Sequence, residues 1–112
     1  METNLSAVSA LGISQAVTAN DVANMNTPGY RAKEARLESG PGDQGVRVAE
    51  IREDTSAGPL VPGPEDTLVE GSNVDLATEM VQMVQDEAAY AANAVAIRTQ
   101  ADMTGALLDT LI

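Results

Sequence analysis

A chain of 112 residues supports one domain at most, and here a thin one: Ala, Val, Leu and Met carry its apolar content, with two tyrosines and neither Phe nor Trp. The lack of Cys and His excludes disulfides, thiol catalysis, most zinc sites and the usual general base. A formal charge of −11, from 17 acids against 6 bases, excludes nucleic acid and anionic membranes as partners, because phosphate recognition needs clustered Lys or Arg.

From Asn4 to Asn24, apolar residues at Leu5, Val8, Leu11, Ala16, Ala19, Val22 and Ala23 recur at helical intervals, with Gly12 and Gln15 weakening the centre. About twenty residues make a rod of roughly 30 Å. Alone in water such a helix is marginal, since most helical stability comes from packing. The pattern ends in Asn20, Asn24 and Asn26, then stops at Thr27-Pro28-Gly29-Tyr30. Proline removes a backbone donor and biases Thr27 away from helix, and Gly29 permits a positive φ. The residues themselves predict a helix end and a turn, with the asparagines capping locally or pairing with the backbone of adjacent subunits.

The middle, residues 31–72, changes character. Arg31, Lys33, Glu34, Arg36 and Glu38 form a charged patch, read as one more helical turn or an exposed arm. Gly40-Pro41-Gly42 breaks regular structure. Val46-Arg47-Val48, continued imperfectly to Ile51, predicts a short strand, and Thr67-Leu68-Val69 a second that would pair with it as a hairpin. Gly58-Pro59 to Pro62-Gly63-Pro64 reads as a turn-rich loop. The segment is acidic throughout, with Arg47 and Arg52 facing Asp43, Glu50, Glu53, Asp54, Glu65, Asp66 and Glu70. A lone hairpin is barely stable in water, so it must lean on a helix or a neighbour.

Residues 73–112 predict a long helix. Ser72 and Asn73 are good N-caps, and Asp75 and Glu79 place negative charge at the positive end of its dipole. Leu76, Met80, Met83, Glu87, Tyr90, Ala94, Ile97, Ala101, Thr104, Leu108 and Leu111 recur at intervals of four and three, a heptad seam interrupted at Glu87 and Thr104. Ala77, Val81, Val84, Ala88, Ala91 and Val95 widen it. Uninterrupted, this helix is about 57 Å long. The predicted fold is therefore mainly α: terminal amphipathic helices, spanning 1–30 with its turn and 73–112, packed as an antiparallel coiled-coil-like hairpin around a short irregular or β-hairpin middle. The second helix outruns the first, so part of its stripe needs another chain.

Candidate chemistry is sparse. Asp86 and Glu87 diverge by about 100° on a helix and cannot converge on one reacting atom. Glu53-Asp54 and Glu65-Asp66 lie beside Gly and Pro as solvated loop residues, and no EF-hand spacing is present. Catalytic residues, a resident metal and a cofactor are therefore not expected. Met80, Met83 and Tyr90 at helical spacing read as packing residues. No stretch is apolar enough to insert in a membrane, and no cleaved secretory signal opens the chain, which by itself implies a cytoplasmic protein.

Two stretches carry a family resemblance. Ala19, Asn20, Ala23, Asn24, Asn26, Thr27, Gly29 and Tyr30 fall on an A-N-N-x-A-N-x-N-T-x-G-Y pattern, with Asp21 in place of its second Asn. Asn73, Val74, Asp75, Glu79, Met80, Val81, Met83, Ala89, Tyr90, Ala92 and Asn93 fall on S/P-N-V-D-x-x-x-E-M-V-x-M followed by A-Y-x-A-N. Both resemble the terminal signatures of bacterial flagellar rod and hook proteins. Gly45-Val46-Arg47-Val48 and the Pro-rich stretch after it are similar to the middle of the short proximal-rod members.

The resemblance implies a structural subunit of the flagellar basal body, not an enzyme, and a role in motility through self-assembly. Its partners would be itself, other rod subunits and the flagellar type III export apparatus, and its location the periplasmic rod, reached without a cleaved signal. It marks Asn20, Asn24, Asn26, Thr27, Pro28, Gly29 and Tyr30 as an assembly turn. Leu76, Met80, Met83, Tyr90, Ala94, Ile97 and Leu108 would be the packing seam. Two departures stand out: acids at Asp86 and Glu87, where the family often carries a base, and an acidic middle. Like charges on identical subunits repel within a Debye length of about 8 Å, which favours a rod-like paralogue present in few copies. The alternative is a cytoplasmic helical adaptor that binds an export component or a chaperone.

Overall fold

The computed structural model describes residues 2–111; Met1 and Ile112, the outermost positions of the expected terminal segments, lie outside them. The chain forms helix α1 (Glu2–Ala23), strands β1 (Lys33–Ser39), β2 (Val46–Glu53), β3 (Leu60–Pro62) and β4 (Leu68–Glu70), and helix α2 (Leu76–Leu111). It measures 77 × 24 × 16 Å, with α2 setting the long axis. The architecture is two terminal helices and a middle of small two-stranded sheets.

The charged patch after Tyr30 is a strand, where a helical turn or an arm was expected. β1 pairs with β2 in antiparallel register, Lys33 opposite Glu53 and Ser39 opposite Val46, with a bulge between Arg36 and Leu37. Cross-strand chemistry explains the choice. Arg36 lies opposite Glu50 and Glu38 opposite Arg47, and each couple forms an ion pair. Ala35 and Leu37 alternate inward on the same strand, as a half-covered sheet requires. A helical turn would have left these four charges without those neighbours.

Thr67-Leu68-Val69 accordingly does not pair with Val46-Val48. β4 pairs instead with β3, Leu60 opposite Glu70 and Pro62 opposite Leu68, inside the stretch expected to be loop. Pro59 and Pro62 do not prevent this short ladder because an edge strand tolerates proline. A 3₁₀ turn at Pro64–Asp66 joins the strands, and the Thr67 N–H and hydroxyl both donate to the Pro64 carbonyl, at 3.2 and 2.6 Å.

The buried face of α1 comprises Ala7, Ala10, Leu11, Ser14, Thr18 and Asp21. Of the expected apolar stripe, Leu11 belongs to it, whereas Leu5 is 52% exposed and Ala16, Ala19 and Ala23 also face solvent. The rotation follows from what α2 presents to this helix, Glu79, Gln82 and Asp86, which Ser14 and Asp21 meet with polar groups. Among the described residues the buried apolar core is only Ala7, Ala10 and Leu11. Such small side chains contribute little through burial, so hydrogen bonds decide much of the geometry.

Candidate functional site

The end of α1 is built from its own asparagines. The Asn24 N–H is shared between the carbonyls of Asn20 and Asp21, at 3.2 and 3.1 Å, which tightens the last turn. The Asn24 side chain donates to the Asn20 carbonyl at 2.8 Å, and the Thr27 hydroxyl donates to Asn24 Oδ1 at 3.0 Å. Asn20 Nδ2 reaches forward to Tyr30 Oη at 3.0 Å. Local capping thus occupies Asn20 and Asn24. Asn26 and Pro28 stay exposed, and Asn26 makes no side-chain hydrogen bond among the described residues.

Gly29, at φ +74°, turns the chain through a conformation that L side chains rarely adopt. Its N–H donates to the Glu70 carbonyl at 2.9 Å, and the Tyr30 carbonyl accepts from the Asn73 N–H at 3.2 Å. The turn is therefore fastened to the segment that leads into α2. Asn73 completes the joint through its side chain: Oδ1 accepts from the Ala32 N–H at 2.6 Å, and Nδ2 donates to the carbonyls of Asp54 and Ser56 at 2.8 and 2.9 Å. Arg31 braces the other side, pairing with Glu70 Oε1 at 2.9 Å and donating to the carbonyls of Thr55 and Ser56.

Asp21 sits at the centre and is fully buried. Its Oδ1 accepts from Tyr30 Oη at 2.8 Å, and both its oxygens accept from the Lys33 N–H, at 3.0 and 3.1 Å. The Lys33 ammonium lies 4.6 Å over the Tyr30 ring, a cation–π contact. Glu79, 8% exposed, brings α2 onto the same carboxylate. Burial, then the bond to Asp21, pushes the Tyr30 phenol up to about 12. Burial, then the Asp21 charge, pushes the Glu79 carboxyl up to about 7.

Farther along the helices, Ser14 Oγ donates to Asp86 Oδ2 at 2.6 Å and Gln82 Nε2 to Asp86 Oδ1 at 2.9 Å. Gln15 Nε2 donates to the Met83 carbonyl at 3.2 Å. Glu79, Gln82, Asp86, Ala89, Asn93, Ala96, Ile97 and Gln100 are the buried or half-buried positions along α2, a seam whose first half is mostly polar. The sequence-predicted seam lies about one residue round the helix. Leu76, Met80, Met83, Tyr90 and Leu108 are 41, 55, 36, 44 and 56% exposed; Ala94 is exposed and Ile97 half-buried. Val81, Val84 and Val95 extend that apolar face, and every described residue after Gln100 is exposed.

Sequence reasoning missed Asp21, Asn73, Glu79 and Asp86 as structural centres. Two of them had left a trace. Asp21 and Asp86 are among the positions where the chain departs from the family patterns, and both are buried acids: Asp86 accepts from Ser14 on the other helix, Asp21 from Tyr30 and the Lys33 N–H. Among the described residues no group of acids is arranged to hold a metal ion. What this site offers is backbone joints and two helix faces, one polar and covered, the other apolar and open.

Residues 1–31 match the family profile described as flagella basal body rod protein, and residues 66–110 match the flagellar basal body rod FlgEFG protein C-terminal profile. The flagellar basal body rod protein FlgB of Bacillus subtilis (strain 168) is 29% identical over 96 residues, covering 77% of this chain and 74% of that protein. These are structural proteins, not enzymes. The N-terminal match includes the Asn-rich turn and the C-terminal match all of α2 but its last residue, so at both ends of the joint the chain is similar to flagellar basal-body rod proteins.

Proposed function

We propose that this chain is a structural subunit of the bacterial flagellar basal-body rod, assembling through its terminal helices with copies of itself and with other rod subunits. The observation that carries the proposal is the exposed apolar face of α2, from Met80, Val81 and Val84 to Leu107, Leu108 and Leu111. The helix runs 36 residues and α1 only 22, so α1 cannot cover its length. A face of that kind is stable when a neighbouring helix removes it from water.

Within the subunit the helices act as an antiparallel coiled-coil-like pair. Ser14 opposite Asp86 and Gln15 opposite Met83 support the antiparallel direction, and the four-and-three spacing of the buried positions Ala7, Leu11, Ser14, Thr18 and Asp21 supports the coiled-coil-like packing. The turn from Asn20 to Tyr30 holds the pair, leaving Asn26 and Pro28 free to meet a neighbour. The subunit would leave through the flagellar export apparatus without a cleaved signal and act in the periplasmic rod, transmitting torque passively. Among the described residues no helix is long and apolar enough to cross a membrane.

Deletion of the gene, followed by electron microscopy for hooks and filaments, tests this reading. Loss of both, restored by a plasmid copy whose product co-purifies with basal bodies, is expected. Intact basal bodies in the deletion strain, with the protein held in a cytoplasmic heterocomplex, would favour the adaptor instead.

A further inference from the structure

We propose that Asp21 and Glu79 form a proton-sharing clasp between α1 and α2, closed while Glu79 is protonated and loosened when it ionises. Asp21 is fully buried, and both its oxygens are already acceptors, from Tyr30 Oη and the Lys33 N–H. Glu79 is 8% exposed and lies one heptad before Asp86, as Asp21 lies one heptad after Ser14, so the Ser14–Asp86 bond sets the two acids facing each other across the helices. A bond between two carboxyl groups needs one proton, and with Asp21 accepting elsewhere it resides on Glu79. The ion pairs among the described residues involve neither acid.

The surrounding charges do not supply the missing compensation. Lys33 on β1 directs its ammonium over the Tyr30 ring, and its neighbour Glu34 adds negative charge. Asp75, just before α2, does the same. Glu79 also lines an open cleft with Arg52 and Glu53 of β2 and with Asp54, which admits water and protons. The family pattern places Asn at position 21, whose amide would donate to Glu79 without any titrating proton. The Asp at this position makes the contact pH-sensitive in this chain.

Burial and the Asp21 charge push the Glu79 carboxyl from its ordinary 4.5 to about 7. Between those values the folded chain holds a proton that the unfolded chain has released. Stability is therefore highest below the window and falls as pH rises through about 7. The clasp is independent of the rod proposal, since it concerns the single chain.

The test uses the full chain, with thermal unfolding followed by circular dichroism from about pH 5 to about pH 9 and the Glu79 carboxyl carbon followed by NMR. The expected result is an unfolding midpoint that falls through neutrality and a Glu79 resonance titrating near 7. In Glu79→Gln the amide donates to Asp21 at every pH and the fall disappears. In Asp21→Asn the Glu79 titration returns toward the ordinary carboxylate range. A Glu79 resonance in the wild-type chain that titrates near 4.5 overturns the proposal, and that reading needs no variant to fold. An undiminished pH-dependent fall in Glu79→Gln overturns it as well.

Discussion

Tyr30 Oη lies 2.8 Å from Asp21 Oδ1, and this bond joins the residue after the Pro-Gly turn to the last buried position of the helix before it. The same phenol oxygen accepts from Asn20 Nδ2 at 3.0 Å. Tyr30→Phe keeps the ring under the Lys33 ammonium and removes only the hydroxyl. A lost hydrogen bond to a buried carboxylate costs about 1.5–3 kcal/mol, which a urea titration of the full chain should show as a lower midpoint with an unchanged slope. An unchanged midpoint would mean that Lys33 and Glu79 suffice to hold Asp21.

The Tyr30 phenol supplies a separate optical readout. Its pKa is pushed up to about 12 by burial and by the Asp21 carboxylate that accepts its proton. The fold favours the neutral phenol, so this contribution is fully present below about pH 10 and is lost as pH rises through about 12. In a Tyr90→Phe background, absorbance at phenolate wavelengths reports Tyr30 alone. Ionisation is expected well above that of a free tyrosine, and Asp21→Asn should move it back toward 10. A phenol already ionising near 10 in the parent would rule out the bond.

Asn73 holds three chain segments with one amide. Asn73→Ala leaves the Ala32 N–H without its acceptor and the Asp54 carbonyl without the Asn73 donor, although that carbonyl can turn to water and the Ser56 carbonyl still accepts from Arg31. The expected cost is about 1–2 kcal/mol, concentrated in the part-buried N–H. Asn73→Asp retains the acceptor and should recover part of the loss. Hydrogen exchange at the Ala32 amide distinguishes the two: fast in the alanine variant, protected in the aspartate variant.

Strong local signals made the two helices and the turn legible. Gly29 after Pro28 favours a reversal, whereas the expected caps Ser72 and Asn73 lie ahead of the helix start: Asp75 Oδ1 caps α2 by accepting from the Ala77 N–H at 3.0 Å, and the Asn73 side chain is spent on the joint. The β-pairings were not legible because the partners are chosen by charges far apart in sequence. Arg36 becomes a strand residue through Glu50, and Glu38 through Arg47. The helix faces misled for a related reason. Hydropathy assigns the apolar side inward, yet here Asp21, Asp86 and Glu79 are covered while the apolar side is left open: Ser14 donates to Asp86 across the helices, and Tyr30 and the Lys33 N–H donate to Asp21.

That inversion separates folding from assembly at particular residues. Met83 and Tyr90 are 36 and 44% exposed, and the contact of Met83 with α1 is made by its backbone carbonyl, which accepts from Gln15 at 3.2 Å. Met83→Asp or Tyr90→Asp therefore places a charge in water in the single chain and alters helix propensity by only a few tenths of a kcal/mol. If another subunit covers this face, the same charge becomes buried without a partner, at a cost of several kcal/mol. Helical circular dichroism and solubility should thus match the parent, while plasmid copies of either variant fail to restore hooks and filaments to a deletion strain. Full restoration by both variants would mean that the open face of α2 is not where subunits meet. The polar seam through Glu79 and Asp86 would then be the better place to look, since an exchange of α1 between neighbouring subunits would preserve every bond described across it.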